Sequence, residues 1–253
     1  MKDYKVVGKP HVRKDSWEKV TGAARYCADY SLPGQLYGAV YRAPVPHGII
    51  KRIDISKAKS LPGVRAVVQG SDLPYTFGRL MRDQRFLAVD KVRFLGEPIV
   101  AVAADTLETA NEAVNLIEVE IEELPAIDNV LEAVKPESPL VHESLGSYFY
   151  EKSIRPVDKT NIYDHFTLRK GDVEKGFAEA DVIVENEYEC AILHHAAIEN
   201  HAAIAQVEPS GKVTVWATVQ SPFYTRSEIA RALSISENKV RIISPPIGGG
   251  FGG

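Results

Sequence analysis

Apolar and polar positions change their period several times along the 253 residues, and each period predicts an element. Short apolar runs at 36–42, 49–55 and 64–69 read as strands. Pro44, Pro46 and Gly48 supply a turn between the first two, and a helical turn at 56–60 ends at Pro62 and Gly63. The run 97–103 is of the type that forms a buried strand. A helix follows it: Ala110, Ala113, Val114 and Ile117 recur at helical spacing, with Asp105 the expected N-cap and Glu108 three residues on. At 118–122 glutamates alternate with Val119 and Ile121, the period of a half-buried strand. Residues 70–90 carry no strong period and read as a long surface loop, a length at which loops tend to be functional.

The second half is organised differently. Pro136, Pro139, Gly146 and Pro156 punctuate 131–165, which reads as a linker. Gly171 and Asp172 precede a short helix at 173–178. From 181 to 190, Val182, Val184, Tyr188 and Cys190 fall on one side and Glu185, Glu187 and Glu189 on the other, so a strand with one solvated face is expected. Segments 202–207 and 212–217 read as a hairpin around Glu208, Pro209, Ser210 and Gly211. The second of these strands runs into Gln220. Ser221 and Pro222 then suit the N-cap and first position of a helix carrying Arg226, Ile229, Ala230 and Leu233. A strand at 239–244 completes a βαβ crossover, whose strands are expected to be parallel.

That crossover brings two strand exits to one sheet edge. Gln220 leaves the first. Past Pro245 and Pro246, the run Gly248, Gly249, Gly250, Phe251, Gly252, Gly253 leaves the second. A carboxamide, a helix N-terminus and a bare loop rich in backbone N–H groups would converge there, which is chemistry for an anionic, oxygen-rich ligand. Three readings of the loop alone stand open. Gly248, Gly250 and Gly253 formally match a dinucleotide-binding fingerprint, but no helix or acidic residue follows. A Walker loop needs a Gly-Lys-Ser/Thr that does not appear. The third reading is a flexible glycine tail.

Composition narrows the class. Hydrophobic residues make up 45% and charged residues 25%, enough for a real core, and the length suits one large domain or two modest ones. A net charge of −4 gives no basic footprint for nucleic acid or an anionic membrane. No apolar run is long enough to cross a bilayer, and the N-terminus has no signal-peptide core. Cys27 and Cys190 cannot supply a disulfide framework, a four-thiolate zinc site or an iron–sulfur ligand set. A reduced, cytoplasmic setting is the expectation.

Four stretches together carry a family resemblance over nearly the whole chain. Residues 18–29 are similar to an opening motif, 91–103 to a central strand motif of an α/β hammerhead domain, and 171–181 to the start of a first molybdopterin-binding domain. The fourth and most specific is Gln220 with the glycine run, 31 residues separating Gln220 from Phe251. The chain thus resembles the molybdopterin-binding large subunit of the xanthine dehydrogenase and aldehyde oxidase family, with the 4-hydroxybenzoyl-coenzyme A reductase branch also in view.

The resemblance implies an α/β (α+β) fold: an N-terminal arm at 1–14, a hammerhead domain at 15–130, the linker at 131–165 and the first part of a molybdopterin-binding domain at 166–253. It implies that Gln220 hydrogen-bonds an apical oxygen on molybdenum, and that Gly250, Phe251 and Gly252 lie against the metal and its pterin, in the cytosine dinucleotide form or another. Implied partners are the remainder of the molybdenum subunit, an iron–sulfur subunit with [2Fe–2S] clusters and a flavin subunit with FAD. The implied substrate is a small aldehyde or aromatic molecule, hydroxylated with oxygen from water, or dehydroxylated in the reductive branch. The family's glutamate base lies further downstream and has no counterpart in these residues. The chain is therefore expected to be a portion of a larger subunit, without turnover alone. A non-catalytic docking module is the competing expectation.

The remaining clusters weigh less. His194, His195, Glu199 and His201 lack the H-E-x-x-H pattern of a zinc site and read as locally hydrogen-bonded residues. The resemblance would place Glu199 near the substrate funnel, although Asn200 stands where many relatives carry proline. Glu118, Glu120, Glu122 and Glu123 read as the wet face of a strand. Arg79, Arg82 and Arg85, with Asp83, read as solvated surface, and Trp17 and Trp216 as packing residues.

Overall fold

The computed structural model describes residues 4–252, so Gly253 of the glycine run and the start of the expected N-terminal arm lie outside the described residues. The chain divides into two compact units, Gly34–Ile192 and a second made of Met1–Pro33 with Leu193–Gly253. The chain opens on α1 (Ser16–Val20), which belongs to the second of these.

In the unit Gly34–Ile192, β1 (Tyr37–Arg42), β2 (Gly48–Asp54), α2 (Ser56–Ser60) and β3 (Val64–Gln69) appear where the apolar runs place them. Two-residue strands follow, β4 (Thr76–Phe77), β5 (Gln84–Arg85) and β6 (Lys91–Val92). Then come β7 (Pro98–Ala104), α3 (Leu107–Asn115) and β8 (Glu118–Glu123). β7 is the centre of one antiparallel sheet, between β1 and β3, and β2 the centre of another, between β6 and β8. Val100, Val102 and Ala104 bury one face of β7; on the other face Ile99 is buried and Ala101 and Ala103 are half-buried. α3 lies against β1 and β7 and buries Ala110 and Ala113, with Ile117 just beyond its end in the same core. Its N-cap is Thr106, whose side chain accepts the Thr109 N–H at 3.1 Å. Asp105, the expected cap, is held instead by Arg65 in a two-pronged pair at 2.7 Å.

The 70–90 stretch is not a surface loop. Met81, Leu87 and Ala88 are buried, and Met81 bridges to Tyr150 while Arg82 N donates to Phe149 O and Glu151 N to Leu80 O. Residues 131–165, read as a linker, supply Leu145 and Ile154 to a small core around Met81. Neither stretch has a period because its buried residues meet partners some 70 positions away. Among the arginines, Arg82 lies over the Phe149 ring at 4.1 Å and Arg85 Nη1 donates to Pro74 O, so these two are engaged rather than merely solvated.

After α4 (Val130–Ala133), α5 (Val173–Glu179) starts at Asp172, which accepts the Lys175 N–H. The expected strand at 181–190 does not form, and both of its faces are exposed, Val182 at 78% on one and Ile183 at 58% on the other. Alternation supplies two faces, but a strand also needs a neighbouring edge, and no strand of the described residues pairs with this segment.

In the other unit, β9 (Ala203–Val207) and β10 (Val213–Ala217) form the expected hairpin. α6 (Pro222–Ala232) crosses to β11 (Val240–Ile243), which pairs parallel with β10, Val213 opposite Val240 and Trp216 opposite Ile243. Val213, Val215 and Ala217 form the core, with Ile229 of α6 and Ile242 of β11 against it. Pro222 opens α6 as expected; Ser221 holds the N-cap position without a side-chain capping bond. Trp17 is 74% exposed and is not a packing residue, whereas Trp216 is half-buried in β10. No helix of the described residues is long and apolar enough to cross a membrane.

Candidate molybdopterin site

Parallel pairing of β10 with β11 puts their carboxyl ends side by side, and a direct bond ties the exits: Ser244 Oγ donates to Val219 O at 2.8 Å. One residue past Val219, Gln220 reaches across, and its Nε2 donates to the carbonyl oxygen of Gly250 at 2.9 Å. The two elements singled out by spacing are therefore in contact. A Cβ on Gly250 would lie 2.6 Å from Gln220 Oε1, so a larger residue there would displace the carboxamide. The turn also needs left-handed backbone, with φ of +135° at Gly249 and +93° at Gly252. Phe251 adopts φ +47° between them, a conformation that costs a residue with a side chain and that gathers at ligand sites.

A third segment reaches the same turn. Gly248 N–H donates to Glu199 Oε2 at 2.5 Å, across 49 residues of sequence. The other carboxylate oxygen, Glu199 Oε1, is buried with no hydrogen-bond partner among the described residues. His195 stacks on the Phe251 ring with centroids 5.1 Å apart, and His194 stacks on His195. A hollow of about 20 Å³ is lined by His195, Glu199, His201, Thr218, Gln220 and Gly250. Behind it Cys27 is fully buried, and its thiol is pushed above the usual range, first by burial and then by the Glu199 charge.

Phe251 is exposed, and nothing within 4 Å would meet a Cβ on Gly252. The bare turn is thus open on its outer side and braced on its inner side by Gln220 and Glu199. The bare backbone and the carboxamide suit a polar, oxygen-rich ligand such as molybdopterin, and the unpaired Glu199 oxygen suits an N–H of the same ligand. No group of three or more His, Cys, Asp or Glu among the described residues could hold a metal ion directly.

Sequence spacing pointed to Gln220 and the glycine turn, and the resemblance pointed to Glu199 nearby; His195 gave no sign. That Glu199 and His195 meet the turn, rather than bonding only locally, was not legible, because contacts made across 49 residues or more leave no periodic trace. A larger hollow, about 620 Å³, lies in the unit Gly34–Ile192, bordered by Phe77, Phe86, Arg93, Glu97 and His142, and sequence reasoning gave no sign of it.

Comparison with known proteins gives the family. A family described as "Aldehyde oxidase and xanthine dehydrogenase, a/b hammerhead domain" matches residues 21–125, and "Molybdopterin cofactor-binding domain" matches 154–253. The chain belongs to the xanthine dehydrogenase and aldehyde oxidase family of molybdopterin-binding large subunits. It is 39% identical to the nicotinate dehydrogenase large molybdopterin subunit of Eubacterium barkeri, over 100% of this chain and 56% of that one. It is 38% identical to a probable xanthine dehydrogenase subunit of Bacillus subtilis (strain 168), over 98% of this chain and 32% of the relative. The crystal structure of quinoline 2-oxidoreductase from Pseudomonas putida 86 superposes with a TM-score of 0.81 at 28% identity, over 99% of this chain and 31% of that one. The chain thus spans from about a third to a little over half the length of these relatives.

Proposed function

We propose that this chain contributes one wall of the molybdenum site of an oxidoreductase that hydroxylates small aldehydes or N-heterocycles. The observation that carries this is the Gln220 Nε2 to Gly250 O bond, which joins an amide side chain to a glycine turn at one rim of a parallel sheet. Gln220 would hold an oxygen on the metal through its carboxamide. Gly250 and Gly252 would let the cofactor approach the backbone, and Phe251 would lie against it. Molybdopterin, when bound, supplies the two-electron redox chemistry. The chain's own residues orient and shield it. Relatives named for nicotinate and quinoline favour a nitrogen heteroaromatic as substrate, and oxidation over the reductive branch.

The proposal extends to a cytosine dinucleotide form of the pterin, to iron–sulfur and flavin partner subunits that carry the electrons away, and to a cytoplasmic setting. It places the hammerhead domain at 15–130 and the molybdopterin-binding part from 166, joined through 131–165. The test is metal and pterin analysis of the chain expressed with its neighbouring subunits. Molybdenum retained by the native chain and lost from the double variant Gln220→Ala, Phe251→Ala supports the reading. Equal molybdenum in both would leave the chain as a docking module.

A further inference from the structure

Gln220 holds the glycine turn from one side only. Its bond fixes the carbonyl of Gly250 and leaves the N–H that opens the turn, that of Gly248, to something else. The partner is Glu199, whose Oε2 accepts that N–H at 2.5 Å. The contact is more than one hydrogen bond. A Cβ on Gly248 would lie 2.6 Å from Glu199 Cβ, so the backbone of the turn lies directly on the stem of the glutamate. The neighbouring residues of the same segment reinforce it: a Cβ on Gly249 would meet Ala197 Cβ at 3.1 Å, and His195 stacks on Phe251.

We propose that Glu199 is a positioning residue of this site. Its carboxylate sets the start of the glycine turn, so that Gln220 and Glu199 clamp the turn from two sides. With Gly248 N and Gly250 O both fixed, Gly249 is left no freedom to relax, and Phe251 is carried into its left-handed conformation. The second oxygen, Oε1, is buried beside Gln220 and Gly250 without a donor among the described residues. A group bound at the turn that offers an N–H or O–H would satisfy it. What the turn holds rests on the molybdopterin reading; that Glu199 holds the turn does not.

The test separates the two. Backbone hydrogen exchange is followed by mass spectrometry in peptides covering 245–252, on the full chain without cofactor. Glu199→Ala should speed exchange there about tenfold or more, the factor expected for losing a bond to a charged acceptor. Glu199→Gln, which keeps an oxygen acceptor, should stay within about threefold of native. Gly248→Ala, which wedges the turn off Glu199 from the other side, should reproduce the Glu199→Ala result if that variant fails to fold. Exchange in β10 should be unchanged throughout. Unchanged exchange in the turn of a folded Glu199→Ala or Gly248→Ala chain overturns the proposal. Molybdenum content of the same variants, expressed with partner subunits, is read separately. A turn that loosens without loss of molybdenum keeps the brace and removes its link to the cofactor.

Discussion

Gln220 Nε2 lies 2.9 Å from the carbonyl oxygen of Gly250, thirty residues further along the chain. Both residues follow the carboxyl ends of adjacent parallel strands, where open α/β sheets bind ligands. Because Gln220 is exposed and its Nε2 donates to the turn, its removal should affect the turn and not the core. Gln220→Ala should leave the melting temperature nearly unchanged and weaken cofactor retention about five- to tenfold, the value of one ordinary hydrogen bond. Gly250→Ala should do the same by displacing the carboxamide. Molybdenum per chain after dialysis is the measurement. Full retention in both variants would show that the contact is incidental.

Phe251 gives a prediction of a different kind. Its ring is exposed, so shortening it to alanine removes little buried area. Its backbone, however, is left-handed, which costs a residue with a Cβ about 1 kcal/mol relative to glycine. Phe251→Gly should therefore be more stable than Phe251→Ala by about that amount, in chemical or thermal unfolding. If the two variants melt together, the turn does not hold its φ in solution.

The parts of this fold that were legible in the sequence are those set by local periodicity. β7 reads as buried because nearly every residue is apolar, and α3 because Ala110, Ala113 and Val114 share a face. The crossover from β10 to β11 was legible for the same reason, and with it the meeting of Gln220 and the glycine turn. Where packing is long-range the reading failed. Met81 finds Leu145 and Ile154 without any pattern to announce it. The 181–190 alternation failed in the opposite sense: a correct β period that pairs with no strand of the described residues. Thr106 displaced Asp105 as the cap of α3 because Arg65, 40 residues back, competes for the aspartate.

Gly78 tests whether the 70–90 stretch is packed. Its φ is +141°, and a Cβ there would lie 1.8 Å from the carbonyl oxygen of Met81, which is backbone and cannot rotate away. Gly78→Ala should cost about 3 kcal/mol or more, combining overpacking with backbone strain. That corresponds to a fall of roughly 6–12 °C in melting temperature for a chain of this size. Gly22, at φ +73° with nothing within 4 Å, carries the strain alone, and Gly22→Ala should cost about 1 kcal/mol. Equal effects at the two positions would mean that the buried environment of Met81 is not formed.

Glu97 offers a pH test. It is 5% exposed at the head of β7, and its carboxylate accepts the Arg93 N–H at 2.6 Å. Burial pushes its pKa above the ordinary carboxylate range, and the Arg93 amide and charge offset this only in part. The folded chain therefore holds this proton more tightly than the unfolded chain does. Such a group adds stability below its unfolded pKa, and the contribution is lost as pH rises through the raised folded value. Glu97→Gln keeps an acceptor for the Arg93 N–H and removes the charge. It should melt higher than the native chain at about pH 8, and the advantage should shrink toward about pH 3, where the native carboxyl is protonated in both states. Thermal melts across that range decide the matter. A native chain more stable than the variant at about pH 8 would mean that Arg93 compensates the buried charge in full.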